Sequence, residues 1–290
     1  MLGQQIINGL MLGSVYALIG VGYTLVFGVL RMLNLAHAYL FMAAPFVAFL
    51  AIKNGIPSPV ALIAGMSVSA LLGVLLYHLA FRPIPRHHAL GGFVSSLSFG
   101  VVLQVIVVNA FGSMKIPFGT GLSLPDLELG GLILSGVQAL NLVMATALMI
   151  GLLVVINRTR LGRNLRALAQ NESAASLLGV SVRKHVQLTF LVSSALAGLA
   201  GMMVAERFGA ISAYMGDTYA IKALAVVVIG GLGDLRGAMV AGVLLGIFEV
   251  LFQAYAPPGW SEAFVWLLLI ATFLFKPEGI FGMRTSRREV

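Results

Sequence analysis

Cysteine is absent from the 290-residue chain. That excludes disulfides, thiol chemistry and any metal held by Cys. Charge is scarce, with Asp, Glu, Lys and Arg at 10% of the residues, against about a quarter in soluble domains. Apolar residues make up 59%. A chain this poor in charge and rich in apolar residues reads as a polytopic membrane protein. Enzyme signatures are missing too. There is no HExxH, no GxSxG and no Walker A lysine motif. No metal or cofactor motif is present, and no means of hydrolysing ATP.

The charge that remains is lopsided: 18 Lys and Arg face 10 Asp and Glu, a net +8. In a soluble protein this would suggest nucleic acid. Here the basic residues fall in short loops between apolar runs, so orientation by the positive-inside rule is the better reading and no nucleic-acid partner is expected.

A membrane span needs about 20 apolar residues. Nine segments come close: 5–30, 33–52, 58–81, 90–111, 138–156, 184–205, 218–232, 237–256 and 260–276. The seventh is short and the second is interrupted by polar residues, so eight spans with re-entrant pieces fit as well. The first lacks a basic n-region and is too long for a signal-peptide core, so it reads as a retained span. The expected fold is an all-α polytopic membrane protein with about 8–9 transmembrane helices, some broken or re-entrant, forming one domain over 1–290.

Three basic clusters orient it: RPIPRHH at 82–88 (with His87 and His88), the 157–185 loop, and RTSRRE at 284–289. Two spans separate the first pair and four the second, so all three share one side, which the rule makes cytoplasmic. The N-terminus is then expected outside and the C-terminus inside. The 112–137 loop, with Lys115, Asp126 and Glu128, is expected outside.

Glycine is plentiful, at 34 residues. Gly9/Gly13, Gly233/Gly237 and Gly242/Gly246 have the small-xxx-small spacing that lets membrane helices approach closely. General glycine enrichment in such helices explains them equally well. IGGLGDLRGAMVAG, 229–242, holds Asp234 and Arg236 among glycines and reads as a tight turn or re-entrant break. No strand precedes it, which sets aside a dinucleotide fingerprint.

Polar groups inside spans are costly and face a cavity or a partner. Candidates are Asn8, Tyr16, Asn34, His37, Gln104, Asn109, Glu206 and Glu249. Asn34 and His37 are three apart and are therefore expected to share one helical face, where span one ends and span two begins. A broken helix there would line a path. Otherwise Asn34 caps the second helix and His37 is a satisfied interfacial histidine. Glu206 and Arg207 read as solvated end-of-span residues. Glu249 lies mid-span, at a cost of roughly 2.5–3.5 kcal/mol, and should be paired, protonated or facing water.

The stretch NRTRLGRNLRALAQNESAASLLGVSVRKH, 157–185, holds six of the 18 basic residues and one acid, Glu172. Its composition favours one short helix, with Gly179 at the C-cap and Ser173, Ala174, Ala175 and Ser176 at its centre. The arginines suit anionic lipid headgroups. A helix lying on the membrane would favour large apolar residues at that centre. Small ones suit docking into another protein's groove.

Glu172, Ser173-Ala174-Ala175 and Gly179 resemble the EAA-type coupling loop of ABC importer permeases, with a departure from Glu-Ala-Ala order. NGLMLGSVYALIGVGYTLVFGVLRMLNLAHAYLFM, ALAQNESAASLLGVSV with TFLVSSALAGLAG, and ALAVVVIGGLGDLRGAMVAGVLLG resemble branched-chain amino acid permeases of the LivH type. The resemblance spans about residues 5–282; Ala38 stands where glycine usually follows NLAH. It implies the ABC importer permease fold, in a bacterial inner membrane with a periplasmic N-terminus. It implies a LivM-type sister permease, two ABC ATPase subunits carrying ATP-Mg, and a periplasmic substrate-binding protein. Relatives move leucine, isoleucine and valine, or urea, short amides and aromatic acids. Residues 172–179 would dock on the ATPase, supported by Arg163 and Arg166, with Tyr16, Asn34, His37 and Glu249 along the pathway. A sugar-importing ABC permease, an ion-coupled carrier, a channel and a membrane-embedded enzyme are the competing classes.

Overall fold

The computed structural model describes residues 2–84, 89–122, 124–129, 132–257 and 260–282. His87, His88 and the 284–289 cluster lie outside the described residues. Each of the nine apolar segments contains a helix. Six are long and apolar enough to cross a membrane: α1 (Leu2–Leu30), α3 (Ser58–Leu76, continued by a π turn over Tyr77–Phe81), α4 (Ala89–Phe111), α5 (Gly136–Arg158), α8 (Val182–Phe208) and α10 (Leu235–Tyr255). The others are shorter: α2 (His37–Lys53), α9 (Met215–Gly230) and α11 (Trp260–Phe275). Two small helices, α6 (Arg160–Gln170) and α7 (Glu172–Leu177), fill the charged loop.

α1 is apolar all round and therefore sits inside. It is buried almost continuously from Gly9 to Leu30 and packs against α5, α8, α9 and α10. Glycines set the closest approach. Gly9 and Gly13 of α1 meet Gly246 and its neighbours on α10, and Gly242 lies against the Ala17 backbone. Gly237 in the first turn of α10 packs against the Gly230 backbone of α9, while Gly233 acts differently, inside the α9–α10 turn. Gly231 and Gly233 take φ of 105° and 91° there, which favours glycine. Asp234 caps α10, accepting from the Arg236 and Gly237 amides at 2.8 and 2.9 Å. The 229–242 run is thus a tight turn. Residues 276–282 fold onto it, with the Ile280 amide donating to the Ile229 carbonyl at 2.7 Å.

The fold is helical as expected, with four short strands among the described residues in its connections. β1 (Ile116–Pro117) pairs antiparallel with β4 (Ala210–Ile211), and β2 (Leu127–Leu129) forms a hairpin with β3 (Leu132–Leu134). They sit at the end of the bundle opposite α6 and α7; these two ends are the far end and the loop end. The chain starts at the far end, where Gln4 bonds to the Ile133 backbone. Residues 276–282 lie at the loop end, on the turn just described.

The expected single helix in the charged loop is two. Asn171 is extended (φ −156°, ψ 108°) and ends α6. Its side chain then caps α7, accepting from the Ala174 amide at 3.0 Å. Asn competes well for such N-cap positions, and this outweighs the helix propensity around it.

Candidate functional site

Three polar groupings stand out. The first is a charged node inside the bundle. The Glu249 carboxylate, 4% exposed on α10, takes the Lys222 ammonium of α9 at 2.5 Å. Its other oxygen accepts from the Tyr16 hydroxyl of α1 at 2.8 Å, and Lys222 donates to that hydroxyl at 3.0 Å. Gln253, one turn on from Glu249, donates at 3.2 Å. Lys222 also lies 5.4 Å from the ring centres of Tyr16 and Tyr219, within cation–π range. Glu249 is thus paired, the first of its three expected fates. The sequence candidates omit Lys222, although it falls inside the seventh apolar segment. An opposite charge in the neighbouring span was the available signal, since buried carboxylates need partners.

The node lies towards the far end, roughly 10 Å along α9 from its start. Tyr219 stands edge-on to Tyr16 at 6.1 Å and 4.9 Å from Phe41. It also lines a far-end cleft of about 450 Å³, with Phe208, Ser212, Tyr214 and Thr218. Arg207 lies in the last turn of α8. Its Nη1 is buried without a hydrogen-bond partner. Glu206 accepts from the Thr120 amide at 2.8 Å. Neither is simply solvated: β1–β4 pairing brings the far-end loop to the end of α8.

The second grouping is a break between α1 and α2. Residues 31–36 are non-helical, and Arg31 takes a φ of 53°. Asn34 and His37 are fully buried. They do not share a helical face, because α2 starts at His37; Ala36 holds the N-cap position, with no side-chain bond. Neither side chain of the pair makes a hydrogen bond, nor do the hydroxyls of Tyr23, Thr24 and Ser194. The Ile19 carbonyl lies near the imidazole without regular bond geometry. Tyr23 meets His37 edge-on at 5.7 Å, and a Cβ on Gly22 would come within 2.9 Å of His37 Nε2. His37 is therefore neither satisfied nor interfacial. Of the four pathway candidates, Tyr16 and Glu249 meet, whereas Asn34 and His37 belong to this separate layer. His37 touches α1 at Gly22, about 10 Å along the helix from Tyr16.

The third grouping is α6 and α7. α6 is amphipathic and buries Gly162, Leu165 and Leu168, spaced three apart on one face. Arg166 donates to the Ile156 carbonyl, Asn164 reaches His185 of α8 at 3.1 Å, and Arg163 is exposed. α7 closes with a Schellman motif: Val180 N–H to Ala175 and Gly179 N–H to Ser176, both 3.0 Å. Gly179 takes a φ of 83°. Ala175 is 2% exposed and seats the helix. Ser173, Ala174 and Ser176 face outward, and Leu177 and Leu178 are 88% and 83% exposed. Glu172 borders a cleft of about 520 Å³ shared with Met32, Tyr77, Arg82 and Arg183.

Six helices among the described residues are long and apolar enough to cross a membrane, which defines the class as a multi-pass membrane protein. Comparison makes the class specific. Residues 5–273 match the family described as branched-chain amino acid transport system / permease component, and the chain belongs to that family. It is 33% identical to the high-affinity branched-chain amino acid transport system permease protein BraD of Pseudomonas aeruginosa, over 96% of this chain and 95% of the relative. It is 33% identical to the corresponding LivH of Escherichia coli K12, with the same coverage. A probable LivH of Methanocaldococcus jannaschii is 26% identical over 97% of this chain and 94% of the relative.

Proposed function

We propose that this chain is the permease subunit of an ATP-driven importer of branched-chain amino acids in a bacterial inner membrane. A periplasmic binding protein delivers the substrate, a sister permease completes the pathway, and two ABC ATPases carrying ATP-Mg drive it. The chain itself binds no cofactor. Its N-terminus is periplasmic and its C-terminus cytoplasmic. Residues 172–179 dock on an ATPase while Arg163 and Arg166 support the base. Tyr16, Asn34, His37 and Glu249 lie along the route.

The observation that carries the reading is α7. A six-residue helix is too short to be stable alone. Here both ends are capped and Ala175 is anchored, yet Leu177 and Leu178 point away from the bundle. A rigid small helix presenting apolar side chains outside the packed bundle suits insertion into a groove on another protein. The test is an affinity pull-down from gently solubilised membranes. An ATPase and a second permease co-purify with the wild type. Leu177→Asp with Leu178→Asp loses the ATPase and keeps the second permease. A homo-oligomer without ATPase, repeated across detergents, would overturn the proposal.

A further inference from the structure

We infer that the gap between α5 and α8 at the loop end is a binding site for an anionic phospholipid, with an acyl chain in the groove and the headgroup phosphate on Arg158 and Lys184. The inference goes beyond the importer reading and does not depend on it. α5 packs on α1 and α6 but barely touches α8. The groove left between them has a volume of about 300 Å³. It runs from Ala147 to Ile156 on α5 and from Leu188 to Leu196 on α8, and Leu161 and Leu165 of α6 close its loop end. The hydroxyl of Thr189, its one polar side chain, already donates to the His185 carbonyl at 2.9 Å. A ligand there meets almost only hydrocarbon. Leu148, Val155 and Leu188 of its wall are still 36%, 38% and 37% exposed. The groove therefore opens sideways, on the flank of two helices long and apolar enough to cross a membrane.

Its length points to a lipid. Ala147 to Ile156 rises about 14 Å along α5, close to half of the roughly 30 Å hydrocarbon core, which is the depth of one leaflet. A span-length helix of another protein would need a groove that continues across the core. Charge then selects the lipid. Arg158 lies three residues after Val155, and Lys184 four before Leu188, so each continues a groove-lining face by one turn towards the loop end. Both are exposed. α1, α5 and α6 carry no Asp or Glu, and α8 carries only Glu206, near its far end. At the loop end, Glu172 borders a separate cleft with Arg82 and Arg183, and Asp234 caps α10. Arg158 and Lys184 thus stand at the mouth of an apolar groove with no carboxylate on the elements that form it. Basic pockets between spans hold anionic headgroups in this way, and long basic side chains reach the interface while their stems lie on apolar surface. A zwitterionic lipid would bring a cation of its own to the same place.

The test uses the full-length chain purified from gently solubilised membranes and placed in nanodiscs of phosphatidylcholine. A trace of phosphatidylglycerol with a photoreactive diazirine on its acyl chain is added, and labelled peptides are mapped by mass spectrometry after irradiation. Phosphatidylglycerol labels 147–156 and 188–196 in preference to the exposed apolar faces of α3, α4 and α11. The phosphatidylcholine analogue spreads over all of them. Arg158→Gln or Lys184→Gln alone lowers groove labelling by phosphatidylglycerol roughly fivefold, the factor for one cation at a membrane surface. The two together bring it to the phosphatidylcholine level. Gly151→Phe, whose Cβ would meet nothing within 4 Å, fills the groove and removes the label there. Labelling of α3, α4 and α11 persists in every variant and shows that each is folded. Equal enrichment of the two lipids in the groove overturns the inference in favour of a plain apolar slot. Groove labelling retained in the double variant, or no higher than on the other faces, overturns it too. An unlabelled groove in the wild type means that another protein chain covers it, and the inference falls.

Discussion

Gly13 of α1 and Gly246 of α10 meet backbone to backbone, and a Cβ on Gly246 would overlap the Gly13 Cα. Between membrane helices, close packing of small residues replaces the hydrophobic effect as the source of association. Gly246→Leu must therefore push the two helices apart. Overpacking of this kind costs about 1–3 kcal/mol, and the obstacle here is backbone, which yields least. Gly151→Leu is the control, because at this exposed position of α5 its Cβ would meet nothing within 4 Å. The expected result is a lower unfolding midpoint in detergent for Gly246→Leu and an unchanged or higher one for Gly151→Leu. Equal midpoints would show that the interface is loose.

Asn34 and His37 separate stability from function. Both are buried without hydrogen-bond partners. Replacing an unpaired buried polar group with an apolar one of similar size is neutral or stabilising. Asn34→Leu and His37→Leu should therefore keep or raise the unfolding midpoint. If the two lie on the substrate route, uptake falls all the same. Normal uptake in His37→Leu would take His37 off the route, and a fall in midpoint would mean that its partners are structural.

The far-end loop is held by few bonds. Glu206 accepts the Thr120 amide at 2.8 Å, Ser58 donates to the Thr120 carbonyl, and β1 pairs with β4 over two residues. Glu206→Ala should speed hydrogen exchange at the amides of 116–122 and leave exchange in α1 and α8 unchanged. A global rise in exchange would instead make Glu206 part of the core.

The helices and the family were legible in the sequence because each rests on local signals: apolar run length and motif stretches that need no distant neighbour. What escaped depends on neighbours distant in the chain. Lys222 is seven residues into α9, close enough to a span end to pass for an edge residue, and its partner is 27 residues away. Arg207 looked solvated because nothing local shows that its Nη1 is buried. Asn171 carried its own signal, a favoured N-cap just before an acidic first turn, but the surrounding Ala and Leu outweighed it in the reading of one continuous helix. Asn34 was misplaced for the opposite reason: spacing implied a shared face, and only the backbone shows that α2 starts three residues later.

The caps of α7 give the last prediction. Asn171 supplies the N-cap bond at 3.0 Å, and Gly179 allows the left-handed turn that ends the helix. Removing an N-cap side chain costs about 1 kcal/mol, and a β-branched residue at positive φ costs roughly 1–2 kcal/mol. Folded proteins are typically stable by about 5–15 kcal/mol, so Asn171→Ala and Gly179→Val should fold and reach the membrane. α7 itself should fray, because a helix this short has no reserve. Faster hydrogen exchange over 172–180 would report the fraying. ATP-driven uptake should drop in parallel, since a frayed helix transmits little force between subunits. Asn171→Asp preserves the cap, and Gly179→Asn tolerates the left-handed turn, so both should retain most of the uptake. Full uptake with demonstrated fraying would mean that α7 does not couple the subunits, and attention would move to the cleft that Glu172 shares with Arg82 and Arg183.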